Sequence, residues 1–183
     1  MKVSLVMPTI NVTTELDLFL KSLKAQTYKN FELIVVDQNE GYDVFEIVKN
    51  YEEDFKIKYV RSDEKGLSLN RNRGLVLMEG EIAGFPDDDC EYQPDTLEKV
   101  ISFFKRKKNY QIYSCRTLER GKTYGTGVME KRDMDIKKDC VDTTVKSITF
   151  FVNYGKDDII LFDENLGVGA TFGSGEETDY VLT

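Results

Sequence analysis

The sequence predicts an α/β protein with a mostly parallel central sheet and helices on both faces. Two observations carry this. Short, continuous apolar runs recur at VSLVM (3–7), FELIVV (31–36), IKYV (57–60), EIAGF (81–85) and YQIYSC (110–115), with amphipathic stretches between them. Strands that are apolar on both sides are buried on both faces, as parallel strands joined by covering helices are. The bulk numbers agree. The chain has 183 residues, 40% hydrophobic and 32% charged, enough to bury a core without disulfide or metal staples and ordinary for a single globular domain over 1–183.

The elements follow in order. Pro8 and Thr9 end the first strand. Thr13 or Thr14 then caps a helix with Glu15 and Asp17 in its first turn, where acids suit the dipole. Its residues Leu16, Phe19, Leu20 and Leu23 fall at i, i+3, i+4 and i+7, one helical face. The second strand ends at Asp37, and residues 42–51 can form a second helix before the third strand. Ser68 is expected to cap a third helix over 68–78. Gly74 inside it needs a reason, because glycine there costs up to about 1 kcal/mol against alanine. Close packing against a strand or a ligand is the usual one.

A fourth strand closes in Pro86 and three acids. Pro94 is expected at the first position of the next helix. Leu97, Val100, Ile101 and Phe104 form its apolar stripe, and Lys105 to Lys108 suit its C-terminus. Beyond 116 the alternation fails. Residues 116–143 are polar and hold Gly121, Gly125 and Gly127; SITFFVN at 147–153 is strand-like; a glycine-rich tail follows. The first part reads as scaffold and the second as site-building loops.

Composition excludes several classes. Twenty-five basic against thirty-three acidic residues give a net charge of −8, which argues against broad nucleic-acid binding. Histidine is absent, so acid–base chemistry falls to Asp, Glu, Lys, Tyr or Cys. Cys90, Cys115 and Cys140 are odd in number and lack a C-x-x-C, and read as reduced thiols. No stretch approaches the roughly 20 apolar residues of a membrane helix. The opening MKVSLVMPTI is too short for a secretory signal. No G-x-G-x-x-G follows a strand, and neither a P-loop nor a G-x-S-x-G elbow occurs.

In sheets of this kind ligands sit beyond the carboxyl ends of the strands, which singles out Thr9, Asp37 and Asp87 to Asp89. FPDDDC at 85–90 sets three carboxylates together; a divalent cation on hard oxygens, or a solvated acidic turn, explains them. In NRNRG, Arg71 and Arg73 cannot share a helix face, so one can serve a site while the other faces solvent. In GSGEETDY the acids either complement a helix N-terminus or hold a general base.

Taken in order, these features resemble family 2 glycosyltransferases, which have the GT-A fold. VSLVMPTINV…LDLFLKSLKAQTYKNFELIVVDQNE resembles the family's first strand, helix and second strand. GLSLNRNRGLVLMEGEIAGFPDDDCEYQPDTLEKV resembles its Ala-Arg-Asn-x-Gly segment, its D-x-D region and its Pro-x-x-Leu helix, and FGSGEETDY its late Glu-Asp motif. The likeness is strong over 1–105 and again over 162–182.

The resemblance implies an inverting, metal-dependent transfer of a sugar from a nucleoside diphosphate, typically a UDP-sugar, to a glycan or lipid-linked saccharide. Surface polysaccharide assembly at the cytoplasmic membrane face is the family-level setting. Residues 1–115 would form the donor half and 116–183 the acceptor half. Pro8 and Thr9 would line the nucleotide pocket, Asp37 would accept from the base, and Arg71 would contact the nucleotide. Asp87 and Asp89 match D-x-D, with Asp89 the direct ligand to Mn²⁺ or Mg²⁺ and Asp88 near the ribose. Glu177 would be the catalytic base, with Glu176 next in line. The sequence departs at Asp37-Gln38-Asn39-Glu40 from the usual Asp-Asp-Gly-Ser, and at Asn70 from the usual Ala. It also ends six residues after Glu177, short of elements that commonly follow in the family. A non-catalytic glycosyltransferase-like domain stays open. A nucleotidyltransferase is disfavoured, because PTINVTT lacks the Gly-rich basic loop it needs.

Overall fold

A computed structural model of the chain describes residues 1–11, 14–119, 133–155 and 158–183. Thr13, Gly121, Gly125 and Gly127 lie outside the described residues. Strands β1 (Val3–Thr9), β2 (Phe31–Asp37), β3 (Lys56–Arg61), β4 (Ile82–Gly84), β5 (Ile112–Ser114) and β6 (Phe150–Asn153) form one sheet in the order β3-β2-β1-β4-β6-β5. The pairs β1–β2, β2–β3 and β1–β4 are parallel, with Leu5 opposite Leu33 and Gly84.

The fifth run does not join the sheet beside β4 as a simple repeat. β6 lies between them and pairs antiparallel with both. Its sequence explains the place. Phe151 faces one core while Phe150 and Val152 face the other, so all three need burial that a central strand provides and an edge does not. β5 is half-buried along its length and takes the edge.

Helices α1 (Glu15–Lys24), α2 (Asp43–Val48) and α4 (Thr96–Arg106) cover one face, with the α1 and α4 stripes buried as expected. On the other face lie α3 (Leu67–Leu75), α5 (Val141–Thr144) and α6 (Glu176–Leu182), packed on Val6, Ile34, Val36 and Phe85. Among the described residues, no helix is long and apolar enough to cross a membrane.

Two expected helix starts move. Gly66, at φ 140, is the N-cap of α3, because the chain enters the helix through a positive φ that glycine adopts without a Cβ clash. Ser68 therefore lies inside the helix, and its hydroxyl donates to the Leu166 carbonyl at 2.6 Å. Pro94 precedes the N-cap Asp95 of α4, inside a turn closed by Thr96 N–H donating to Gln93 at 2.9 Å.

Gly74 meets its sequence expectation. A Cβ there would collide with Cγ1 of Val6 and touch Cγ2 of Val36 at 3.4 Å, so α3 rests directly on β1 and β2. Val6 is fully buried and β-branched, so it has no free rotamer to retreat into. Gly74→Ala is therefore expected to destabilise by about 1–3 kcal/mol through overpacking, outweighing a helix-propensity gain of about 1 kcal/mol. Thermal unfolding checks this; an unchanged or raised melting temperature would contradict the close approach.

Candidate active site

The carboxyl ends of β1, β2 and β4, the body of α3 and the start of α6 converge on one region. Thr9, 2% exposed at the end of β1, donates its hydroxyl hydrogen bond to Asp88. Burial raises the Asp88 carboxyl and the Thr9 hydroxyl opposes that rise. Pro8 is buried beside it in the strand. Asp89 is exposed, on the outer side of the acidic turn.

Asp87 stands nearest the buried chemistry. Its Oδ1 lies 3.8 Å from Nη2 of Arg71. Burial in the cleft pushes its carboxyl up to about 6; Arg71 opposes this, while Asp89, Asp88 and Glu177 reinforce it. Its side chain keeps 45% of its surface open, so solvent screening trims that rise.

Arg71 is 1% exposed and is the largest fully buried side chain among the described residues. Its Nη1 lies 3.6 Å from Glu176 Oε1 and 3.8 Å from Glu177 Oε1. The guanidinium carbon is 5.3 Å from the centre of the Phe162 ring. None of its three side-chain nitrogens has a hydrogen-bond partner among the described residues. Arg73 points elsewhere, to Glu64 and Ser62, which divides the two arginines as their spacing requires.

Glu176 and Glu177 open α6 behind Gly175, whose φ of 101 turns the chain into the helix. The Glu176 side chain is 6% exposed and that of Glu177 22%. Burial raises the Glu176 carboxyl, Glu177 adds to the rise, and Arg71 opposes it. Gly167 lets the backbone approach: a Cβ there would sit 3.2 Å from the Glu176 carboxyl carbon and 3.0 Å from Ser68 Oγ.

Asp37 is fully buried and already engaged. Its Oδ1 accepts from the Asn39 amide N–H at 2.9 Å and from Asn39 Nδ2 at 2.7 Å, and its Oδ2 accepts from the Tyr59 hydroxyl. Burial, then Asp37, drives the Tyr59 phenol far above its usual range. The sequence reading missed this cage, along with Gln38, whose Oε1 accepts from Gly66 N–H at 3.0 Å, and Phe162 beneath Arg71. The parallel pairing of β2 with β3 brings Tyr59 across; no local motif signals it.

The site thus joins Asp87, Arg71, Glu176 and Glu177, links Asp88 to Thr9, and keeps Asp37 in a separate network. Among the described residues, no three carboxylates or thiols converge to cage a metal. The donor set still fits Mg²⁺ or Mn²⁺, which are commonly held by one or two carboxylates and completed by substrate phosphate oxygens. A concavity of about 1260 Å³ runs along the open edge of β5 and contains none of these groups.

The comparisons with known proteins give the family and the fold. A Campylobacter jejuni protein named GalNAc(5)-diNAcBac-PP-undecaprenol beta-1,3-glucosyltransferase is 30% identical over 144 residues, covering 75% of this chain and 47% of its own. Streptococcus pneumoniae glycosyltransferase GlyA is 35% identical over 111 residues, covering 60% of this chain and 16% of its own. This chain therefore spans less than half the length of these relatives. The crystal structure of Staphylococcus aureus TarS 1–349 in complex with UDP superposes with a TM-score of 0.80 at 22% identity, covering 100% of this chain and 54% of that one. That likeness places the fold in the GT-A class. The sequence profile described as Glycosyl transferase family 2 matches residues 4–165, nearly the whole α/β scaffold and the acidic turn, and the chain belongs to that family.

Proposed function

We infer that the chain carries the donor site and catalytic base of a glycosyltransferase that moves a sugar from a nucleoside diphosphate, a UDP-sugar, to an acceptor hydroxyl with inversion. The observation that carries this is the placement of Asp87, just past the carboxyl end of β4, and Glu177, at the start of α6, against different nitrogens of one buried arginine. A donor-side carboxylate and a base held apart but near suit a single in-line displacement. Inverting glycosidases likewise separate their two carboxyl groups across the reacting sugar.

Each residue has a role in this reading. Glu177, more open than Glu176, takes the proton of the attacking hydroxyl as the new glycosidic bond forms. Asp89 and Asp87 would hold Mn²⁺ or Mg²⁺, which when bound neutralises charge growing on the departing diphosphate. Thr9 fixes the orientation of Asp88 at the ribose side. Pro8 and the caged Asp37 shape the wall beside the base. Residues 1–115 form the donor half and 116–183 the acceptor half, within one domain.

The acceptor is a glycan or lipid-linked saccharide in surface polysaccharide assembly, met at the cytoplasmic membrane face. The named relatives support that class of acceptor: one has an undecaprenol-linked oligosaccharide in its name, and another is the poly(ribitol-phosphate) beta-N-acetylglucosaminyltransferase TarP. The UDP-GlcNAc complex of TarS and a mannosyltransferase with GDP-Man and Mn²⁺ show that donors of this class occupy such folds.

Calorimetric titration with UDP, with and without Mn²⁺, tests the donor site. Metal-dependent binding is expected. No heat in either condition, with GDP and dTDP also silent, would remove the nucleotide-sugar reading. Asp89→Asn is expected to weaken UDP binding in Mn²⁺ by about tenfold or more, since a lost charge-assisted ligand is worth at least about 1.4 kcal/mol. An unchanged Kd in Mn²⁺ would take the metal away from Asp89.

A further inference from the structure

Irregular backbone is rarely buried, because its amides and carbonyls lack the partners that a helix or strand supplies. Residues 158–175 belong to none of the named helices or strands, yet Phe162 is 3% exposed and Gly167 is buried. Helix α3 supplies what is missing. Asn72 donates from Nδ2 to the Phe162 carbonyl at 3.0 Å and accepts the Phe162 N–H on Oδ1 at 2.8 Å. Its second amide hydrogen goes to Glu164 Oε1 at 3.0 Å. One side chain thus pairs with the backbone of a residue 90 positions away, as a neighbouring strand would. One turn earlier, Ser68 Oγ donates to the Leu166 carbonyl at 2.6 Å, and Leu67 N–H donates to the Val168 carbonyl at 3.0 Å. Ser68 and Asn72 are four apart and share a helix face. The segment therefore runs along α3 as a strap, fastened at Phe162, Glu164, Leu166 and Val168.

The same strap touches α6. The Phe162 ring stacks on that of Tyr180 at 4.0 Å, 15° from parallel. Gly167 lies between Ser68 Oγ and the Glu176 carboxyl, where a Cβ would crowd both. These two contacts flank Glu177. A helix of seven residues, as α6 is, needs tertiary contacts to hold its place. We propose that Asn72 is a positioning residue for the catalytic base: by gripping both backbone groups of Phe162 it fixes the strap between α3 and α6, and so sets where Glu177 stands relative to the donor-side strands. The role of Glu177 rests on the glycosyltransferase reading. The hold of Asn72 on α6 does not.

Asn72→Asp, in the whole chain, tests this. The carboxylate keeps the size of the amide and can still accept the Phe162 N–H. It loses both donors and turns negative charge toward the Phe162 carbonyl and Glu164. A buried carbonyl left without its donor should lower the melting temperature by roughly 2–12 °C. Amide exchange at 162–168 and at Asp179 to Leu182 should quicken about tenfold in both segments, while α1 and α4 keep wild-type rates. The UDP Kd in Mn²⁺ should stay within about threefold of wild type. Transfer by the folded variant should fall about a hundredfold, because displaced reacting groups lose alignment.

Faster exchange confined to 162–168, with α6 at its wild-type rate, would show a loop anchor that does not reach the base, and would overturn this role. Wild-type transfer by the folded variant would overturn it too. So would a loss of UDP affinity as large as the fall in transfer, which would put the defect in the donor site. Should Asn72→Asp fail to fold, Ser68→Ala decides: it unfastens Leu166 beside Gly167, and exchange must then quicken in the strap and α6 together. A wild type that neither binds UDP nor transfers would defeat the donor reading, while the exchange rates would still settle whether Asn72 holds α6.

Discussion

Glu177→Gln is expected to lower sugar transfer by about 10²–10⁴-fold, the usual contribution of a positioned general base. The amide keeps the size and reach of the side chain but cannot accept the acceptor proton. Donor affinity should persist, because Glu177 lies on α6 and the donor residues lie at the ends of β1, β2 and β4. Stability should hold or rise, because one of the three carboxylates around Arg71 loses its charge. Initial rates, UDP titration and a melting curve on the same variant separate these effects. Transfer at the wild-type rate would move the base elsewhere, with Glu176 and Asp179 the next candidates. A wild type that binds UDP but transfers to no acceptor in any preparation would favour the non-catalytic reading.

The legible parts of this chain are those set by short-range pattern. The strands β1 to β3 announce themselves as apolar runs, and α1 and α4 by their stripes, because burial of one face is a local property of spacing. Gly74 was legible for the same reason: a glycine that weakens a helix needs a close neighbour, and Val6 is that neighbour. Helix starts were less so. Whether Ser68 caps α3 or bonds to Leu166 depends on where residue 166 lies, nearly a hundred positions away. The place of β6 between β4 and β5 is a choice between pairings that the run SITFFVN permits equally.

The candidate site divides in the same way. The acidic turn and the Glu-Glu pair are visible as residue types beyond strands and beside glycines. The state of each is not. Nothing local in NRNRG shows that Arg71 is buried and Arg73 is not, beyond the rule that they face apart. Asp37 stands out at a strand end, but its closure by Asn39 and Tyr59 follows from a turn and a strand register. Long-range pairing sets these environments, and environment sets both charge state and access.

Phe85→Ala is expected to cost about 3–5 kcal/mol, lowering the melting temperature by roughly 6–20 °C. The ring is fully buried. Its centre lies 5.2 Å from that of Phe150, 5.1 Å from Phe162 and 5.7 Å from Tyr180, the last two edge-on. This cluster does more than fill space. Phe85 precedes Asp87 by two positions, Phe162 lies beneath Arg71, and Tyr180 is one turn past Glu177 on α6. Phe162 and Tyr180 stack at 4.0 Å, and the Tyr180 hydroxyl donates to the Ile160 carbonyl at 3.1 Å. The rings thus couple the acidic turn to the helix bearing the base, and a void among them frees one to move against the other. Transfer should therefore fall in Phe85→Ala even well below its melting temperature, because a shift of an ångström at a reacting centre can cost about a hundredfold. Phe31→Ala supplies the control. Phe31 is buried in the opposite core against Phe55, at 5.3 Å, so it should lose stability while the folded protein keeps its rate. Equal rates in the two folded variants would mean that the aromatic cluster holds the sheet together without setting the distance between donor and base.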